Sequence, residues 1–357
     1  MSDKTDKQIT IDFLKEALDR LTKNESIIYF LAYDTKDNAR ASIKHIYDMA
    51  SILKESGYNA KILVEEKDYT GVKGWLGDAY NHIPITAIKE DNVEIRADDT
   101  IVVPEQYSNI LPQISNIKCT KIMLVQQKDF MFETLAIGSR WSQYGFDKCI
   151  TTTESAKKYI LEYFPESLVY LIPPIIGDHF KPIETPKKPL IAISCRDRSV
   201  QRRIISEFYL KFPHLRWITF RDMVQMSHGE FAMELSECMA SVWVDDESTF
   251  GTFPLESMKC EVPVIGKIPD TEPDWLSDNG FWTYDGNKVV DLIGAFVMAW
   301  LDGVELENEV KEKMKEAYAP FTKDNHNLNT ISIFNTIYNK KIDSIKKSLE
   351  KVKSDEE

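Results

Sequence analysis

The chain reads as an α/β protein in two domains, and three features point that way. At 357 residues it is longer than one hydrophobic core usually supports, so two units of roughly 150 to 180 residues are expected. Short β-branched apolar runs alternate with segments of helical period in both halves, the pattern of parallel βα units. A proline- and lysine-rich stretch at residues 173–189 separates the halves. Together these predict two facing Rossmann-like domains with a cleft between them, and in such sheets ligands sit at the carboxyl ends of the strands.

Taken in order, residues 8–23 place Ile9, Ile11, Phe13, Leu14, Ala17, Leu18 and Leu21 at helical spacing, an amphipathic helix leaning on the first domain. Residues 26–31 then form a first strand, 41–54 a helix and 60–64 a second strand. Further strands are expected at 99–105, 121–127 and 148–152, followed by a helix capped by Thr153 or Glu154. The second half restarts with a strand at 190–194 and continues through 217–220, a helix at 229–239, a strand at 241–244 and a helix at 289–301. The expected domains are 1–176 and 190–320, joined by a linker at 177–189. Residues 321–357 form a C-terminal helical segment that packs back on the first domain and ends in a charged run.

Composition narrows the function. A formal charge of −13 argues against a protein whose main task is neutralising nucleic-acid phosphates. Five scattered cysteines without a Cys-x-x-Cys pair fit reduced, buried thiols rather than a disulfide framework or a zinc site. The polar start has no apolar core of a secretion signal, and the longest apolar run, 292–301, is too short to cross a bilayer. A cytoplasmic protein with no transmembrane segment is expected.

The most informative stretch is residues 246–258, Asp-Glu-Ser-Thr-Phe-Gly-Thr-Phe-Pro-Leu-Glu-Ser-Met, followed by Pro263-Val264-Ile265-Gly266. It reads as a strand, a tight loop and a helix start. Gly251 lets the backbone approach a ligand, Pro254 suits the first helical turn, and free N–H groups with the helix dipole attract a diphosphate. Glu256 would accept hydrogen bonds from ribose hydroxyls.

This segment resembles the donor-binding signature of GT-B glycosyltransferases, especially retaining family 4. Phe250-Gly251, Pro254-Leu255-Glu256, Met258 and Pro263-Val264-Ile265 fall in register with that pattern, whereas Ser248 stands at its first glutamate, with Glu247 displaced by one residue. The resemblance implies a metal-independent transferase that takes a hexose or pentose from a nucleotide diphosphate sugar, with no further cofactor. It assigns Ser248, Thr249, Phe250, Gly251 and Thr252 to phosphate and sugar, and Glu256 to ribose. Arg196 and Arg202, in the loop after strand 190–194, hold the places of the family's diphosphate-binding Arg and Lys. A guanidinium keeps its charge and meets a phosphate bidentately, so it would neutralise the departing diphosphate. Met223 and Val224, after strand 217–220, are candidates for the nucleobase contact. Asp245 and Asp246 are adjacent and point apart on an extended chain, so no metal site is expected there.

On the acceptor side, Tyr33-Asp34-Thr35-Lys36-Asp37-Asn38 stands where the family carries glycines, and Val125-Gln126-Gln127-Lys128 stands near the family's histidine. Glu105, after the apolar core 101–103 of the strand at 99–105, is the carboxylate offered there for catalysis. Residues 75–80 and 140–146 mix aromatics with amides and arginine, as sugar-stacking surfaces or core. The acceptor hydroxyl belongs to a glycan, a small molecule or a hydroxymethylated base in DNA. A catalytically silent nucleotide-sugar-binding protein is the alternative from another class.

Overall fold

The structure, a computed structural model, describes residues 2–354 apart from Asp37 and Gln225. Those two positions, in the loops after the strands at 26–31 and 217–220, and the last three residues of the charged tail lie outside the described residues.

Strands β1 (Ile27–Leu31), β2 (Asn59–Val64), β3 (Ile85–Ala87), β4 (Thr100–Pro104), β5 (Thr120–Val125), β6 (Lys148–Thr151) and β7 (Leu168–Leu171) build one sheet in the order β3-β2-β1-β4-β5-β6-β7. Strands β8 (Lys188–Cys195), β9 (Thr219–Asp222), β10 (Cys238–Val244), β11 (Val264–Lys267) and β12 (Phe281–Thr283) build a second, in the order β12-β11-β10-β8-β9. Every pairing is parallel. The α/β class and the two parallel-sheet domains are therefore as the alternation predicted. Central strands are largely apolar because helices cover both faces: all of β4 and β10 is buried.

The strands that the sequence did not reveal are the short edge strands β3, β7 and β12, whose residues are exposed or half-buried apart from Ala87. Strands β3 and β12 are three residues each, too short to show a period, whereas β7 is the apolar run Leu-Val-Tyr-Leu that the sequence reading passed over. Strand β8 starts at Lys188, inside the stretch expected to be linker, since its first two residues are exposed and polar or proline.

Four core clusters fill the faces of the two sheets. Helix Lys323–Ser354 packs against helices Ser2–Thr22 and Ala41–Glu55 of the first sheet's domain, burying Phe334, Ile337 and Tyr338 beside Phe30. The chain passes between the sheets after β7 and again before this helix. At that crossing Ile176 N–H donates to Phe321 O at 2.9 Å, and His326 Nδ1 lies 2.8 Å from Pro173 O. Among the described residues no helix is long and apolar enough to cross a membrane.

Candidate functional site

The carboxyl ends of both sheets meet. The segment after β5 touches the segment after β10: Thr249 N–H donates to Gln127 Oε1 at 3.2 Å, and Lys128 N–H donates to Thr249 Oγ1 at 3.0 Å. Arg196, directly after β8, stands with its guanidinium carbon 5.3 Å from the Phe130 ring centroid. Strand order reverses between β8 and β10, and Arg196 and Asp245 flank that switch point, where open parallel sheets bind ligands.

The loop after β10 is set by its aromatic floor. Gly251 adopts φ +73°, and a Cβ there would lie 2.9 Å from Trp243 Cζ2 and 3.2 Å from Trp275 Cζ2. Only glycine satisfies both demands. Trp275 Nε1 donates to Phe250 O at 2.6 Å, pinning the loop from below. Gly251 precedes helix Thr252–Lys259 and has no side chain with which to cap it, so the first-turn N–H groups are left to other partners.

Glu256 is the fifth residue of that helix, at the start of its second turn. It is 8% exposed, and its Oε1 lies 3.6 Å from His228 Nε2. His228 opens helix His228–Glu237, whose start is held by a capping box between Ser227 and Glu230, and its ring packs beside Phe180 and Phe231. The His179 ring is 4.5 Å from it, centroid to centroid. The sequence alone leaves His228 open between an exposed turn residue and a catalytic one, although Ser227-x-x-Glu230 signals the helix start on which it sits.

Arg196 and Lys267 are already paired. Arg196 Nε lies 3.2 Å from Asp245 Oδ1 and 3.8 Å from Glu247 Oε2. Asp246 pairs with Lys267, so the two adjacent acids go to different partners. Arg202 does not sit on the loop as expected. Asp197 accepts Ser199 N–H and starts helix Arg198–Lys211 early, which leaves Arg202 exposed on its second turn.

Of the other predicted donor residues, Ser248, Thr249 and Phe250 are buried at 6%, 0% and 4% exposure, and Thr252 is half-buried. Phe250 turns into the core against Phe321, at 4.9 Å between ring centroids, and its carbonyl is taken by Trp275. Met223 is half-buried against the second core, and Val224 is exposed.

On the first-domain side Glu105 is 3% exposed, with Oε2 and Oε1 accepting the N–H groups of Gln126 at 3.2 Å and Gln127 at 2.8 Å. Burial pushes this carboxyl up to about 7 despite those two donors. Its carboxylate braces the loop that reaches Thr249 instead of opening on the cleft. Trp75, Trp141 and Phe146 are 3%, 1% and 1% exposed and belong to the core, although Trp75 and Tyr80 also line a cavity with His179 and His228.

Sequence reasoning also missed Asp274 and Trp275. They lie in an acidic, proline-containing loop with no periodic signal, yet one faces the first domain and the other holds the donor loop.

No protein-family model matches the chain, and no curated protein sequence does. Solved structures do. HepE from Anabaena, solved with UDP-glucose, superposes with a TM-score of 0.63 at 11% identity, covering 87% of this chain and 99% of that one. Sucrose-phosphate synthase from Thermosynechococcus elongatus gives 0.60 at 12% identity, over 88% and 99%. The pneumococcal O-GlcNAc transferase GtfA, solved with UDP and GlcNAc, gives 0.61 at 9% identity, over 92% and 99%. The fold is GT-B. At these identities the likeness is one of architecture, and it spans both sheets of the GT-B chain rather than the second alone. The loop over Trp243 and Trp275, Glu256 and Arg196 all lie on the strand-end side of the second GT-B domain, facing the first.

Proposed function

We propose that this GT-B chain is a nucleotide-sugar-dependent glycosyltransferase. The observation that carries the reading is the Gly251 loop: a left-handed glycine clamped over two tryptophans, uncapped helical N–H groups after it, and the inward carboxylate of Glu256 beside it. Such a helix start attracts a diphosphate, and a nearby carboxylate suits the two ribose hydroxyls. UDP-sugars are the first donors to test, because two of the neighbours named above were solved with UDP or UDP-glucose.

In this reading Arg196 exchanges its carboxylate partners for the diphosphate, with Arg202 adding charge from the neighbouring helix. Ser248 to Thr252 close over phosphate and sugar, and Met223 and Val224 line the nucleobase end. The reaction is retaining, metal-independent and front-face, as the family 4 resemblance implies. The bond from the anomeric carbon to the diphosphate oxygen breaks, the acceptor oxygen bonds to that carbon on the same face, and the acceptor proton passes to the leaving phosphate. The leaving group thus serves as base, so Glu105 is assigned to positioning the Gln126-Gln127 loop. The transferred sugar is a hexose or pentose. The acceptor is a glycan or small molecule, with modified DNA disfavoured by the charge of −13.

A second reading, a nucleotide-sugar-binding protein that performs no transfer, is favoured by Ser248 at the first glutamate position and by Arg196 already paired with Asp245 and Glu247. Titration calorimetry with UDP and UDP-sugars tests the shared site. Glu256→Ala and Arg196→Ala should each weaken binding at least tenfold while unfolding at the wild-type temperature. Unchanged affinity in both overturns the site assignment.

A further inference from the structure

One dipeptide joins the donor loop to the facing domain. Asp274 belongs to the second domain, yet its Oδ2 accepts Glu154 N–H at 2.6 Å, and its Oδ1 accepts Ser155 N–H at 3.1 Å and the Ser155 hydroxyl at 2.7 Å. Thr153 Oγ1 accepts Ala156 N–H at 3.1 Å, and Lys157 N–H already bonds to Thr153 O. The first turn of helix Glu154–Tyr163 is therefore fully satisfied, and two of its donors are satisfied from across the cleft by an anion at the positive end of the helix dipole.

The next residue, Trp275, is 7% exposed and holds Phe250 O through Nε1 while its ring backs Gly251. The pair sits in a braced turn: Leu276 N–H donates to Pro273 O at 3.0 Å, and Asn279 Nδ2 donates to Trp275 O at 2.8 Å. Asp274 and Trp275 thus move as a unit.

We propose that Asp274 is a positioning residue that couples closure of the two domains to the shape of the donor loop. Docking of Asp274 on the Glu154–Tyr163 helix seats Trp275, which fixes the Phe250 carbonyl and the left-handed Gly251, so the diphosphate is gripped only when the acceptor-side domain is in place. The consequence for the donor rests on the function proposed above; the coupling itself does not.

Two measurements separate the claims. In hydrogen exchange on the free full-length chain, Asp274→Ala should speed exchange at residues 154–157 and also at 256–259, the first hydrogen-bonded amides of the helix that follows Gly251 on the other domain. Asp274→Asn, which keeps one of the two acceptor oxygens, should restore protection at both in part. Faster exchange at 154–157 alone overturns the coupling. In UDP-sugar binding, Asp274→Ala and Trp275→Phe should each weaken affinity several-fold, and the double variant should lose no more than the worse single one. Additive losses overturn the proposal. Exchange coupling in a chain that binds no nucleotide sugar would sustain the coupling and sink the donor reading.

Discussion

Gln127 Oε1 accepts the N–H of Thr249 at 3.2 Å, so a glutamine of the first domain holds a backbone donor two residues before Gly251. Glu105 sets this relationship at one remove, because its carboxylate fixes the Gln127 backbone at 2.8 Å. A donor that draws on the same amide must displace Gln127. Removing the side chain with Gln127→Ala should therefore tighten UDP binding about 2- to 10-fold, the range set by a net hydrogen bond of about 0.5–1.5 kcal/mol. Calorimetry reads this directly; weaker binding would make Gln127 a donor contact instead of a competitor.

Gly251 meets two demands at once, a φ of +73° and a Cβ position 2.9 Å from Trp243 Cζ2. A left-handed residue with a side chain costs about 1–2 kcal/mol, and the overlap adds to it. Gly251→Ala should lower unfolding stability by about 2 kcal/mol or more in urea and weaken nucleotide-sugar binding at least tenfold. Wild-type stability in that variant would contradict the account of the loop.

Acid sensitivity should trace to two buried groups with opposite signs. His45 is 1% exposed, with Nδ1 3.1 Å from Gln126 Nε2, and it faces His326, Lys44 and Asp48. Burial first, then His326, bring it down to about 3 from 6.5. The unfolded chain takes up a proton below about 6.5 that the folded chain refuses, so the stability from this group is complete above 6.5 and lost as pH falls toward 3. Glu105, raised from 4.5 to about 7, works the other way: its contribution is complete below 4.5 and lost as pH rises through 7. Between pH 7 and 5, His45→Asn should lose less stability than wild type and Glu105→Gln should lose more, measured by urea unfolding.

What the sequence disclosed and what it hid divide along physical lines. Strand β10, buried on both faces, and helix Val289–Leu301 leave periodic apolar patterns that any chain with those elements must show. The Gly251, Pro254 and Glu256 spacing is local backbone chemistry, so it was legible too. Residues whose place depends on the other domain were not. Asp274 caps a helix 120 residues away in sequence, and nothing near it records that partner. Glu105 follows a strand end as expected, but its direction is set by Gln126 and Gln127, so a carboxylate taken for the cleft turned out to be a brace. Arg202 left the loop because Asp197 caps a helix one residue later, a signal present in the sequence and weighed too lightly.

The central claim is transfer from a nucleotide sugar, and the most direct measurement is proton NMR of the wild-type protein with each of a panel of α-linked UDP-, GDP- and ADP-sugars, without added acceptor. The account predicts slow release of nucleoside diphosphate from one donor, with the free sugar appearing first as the α-anomer, and no release with Glu256→Ala. Every donor remaining intact in the presence of tight, Glu256-dependent binding would contradict it and leave a nucleotide-sugar-binding protein in its place.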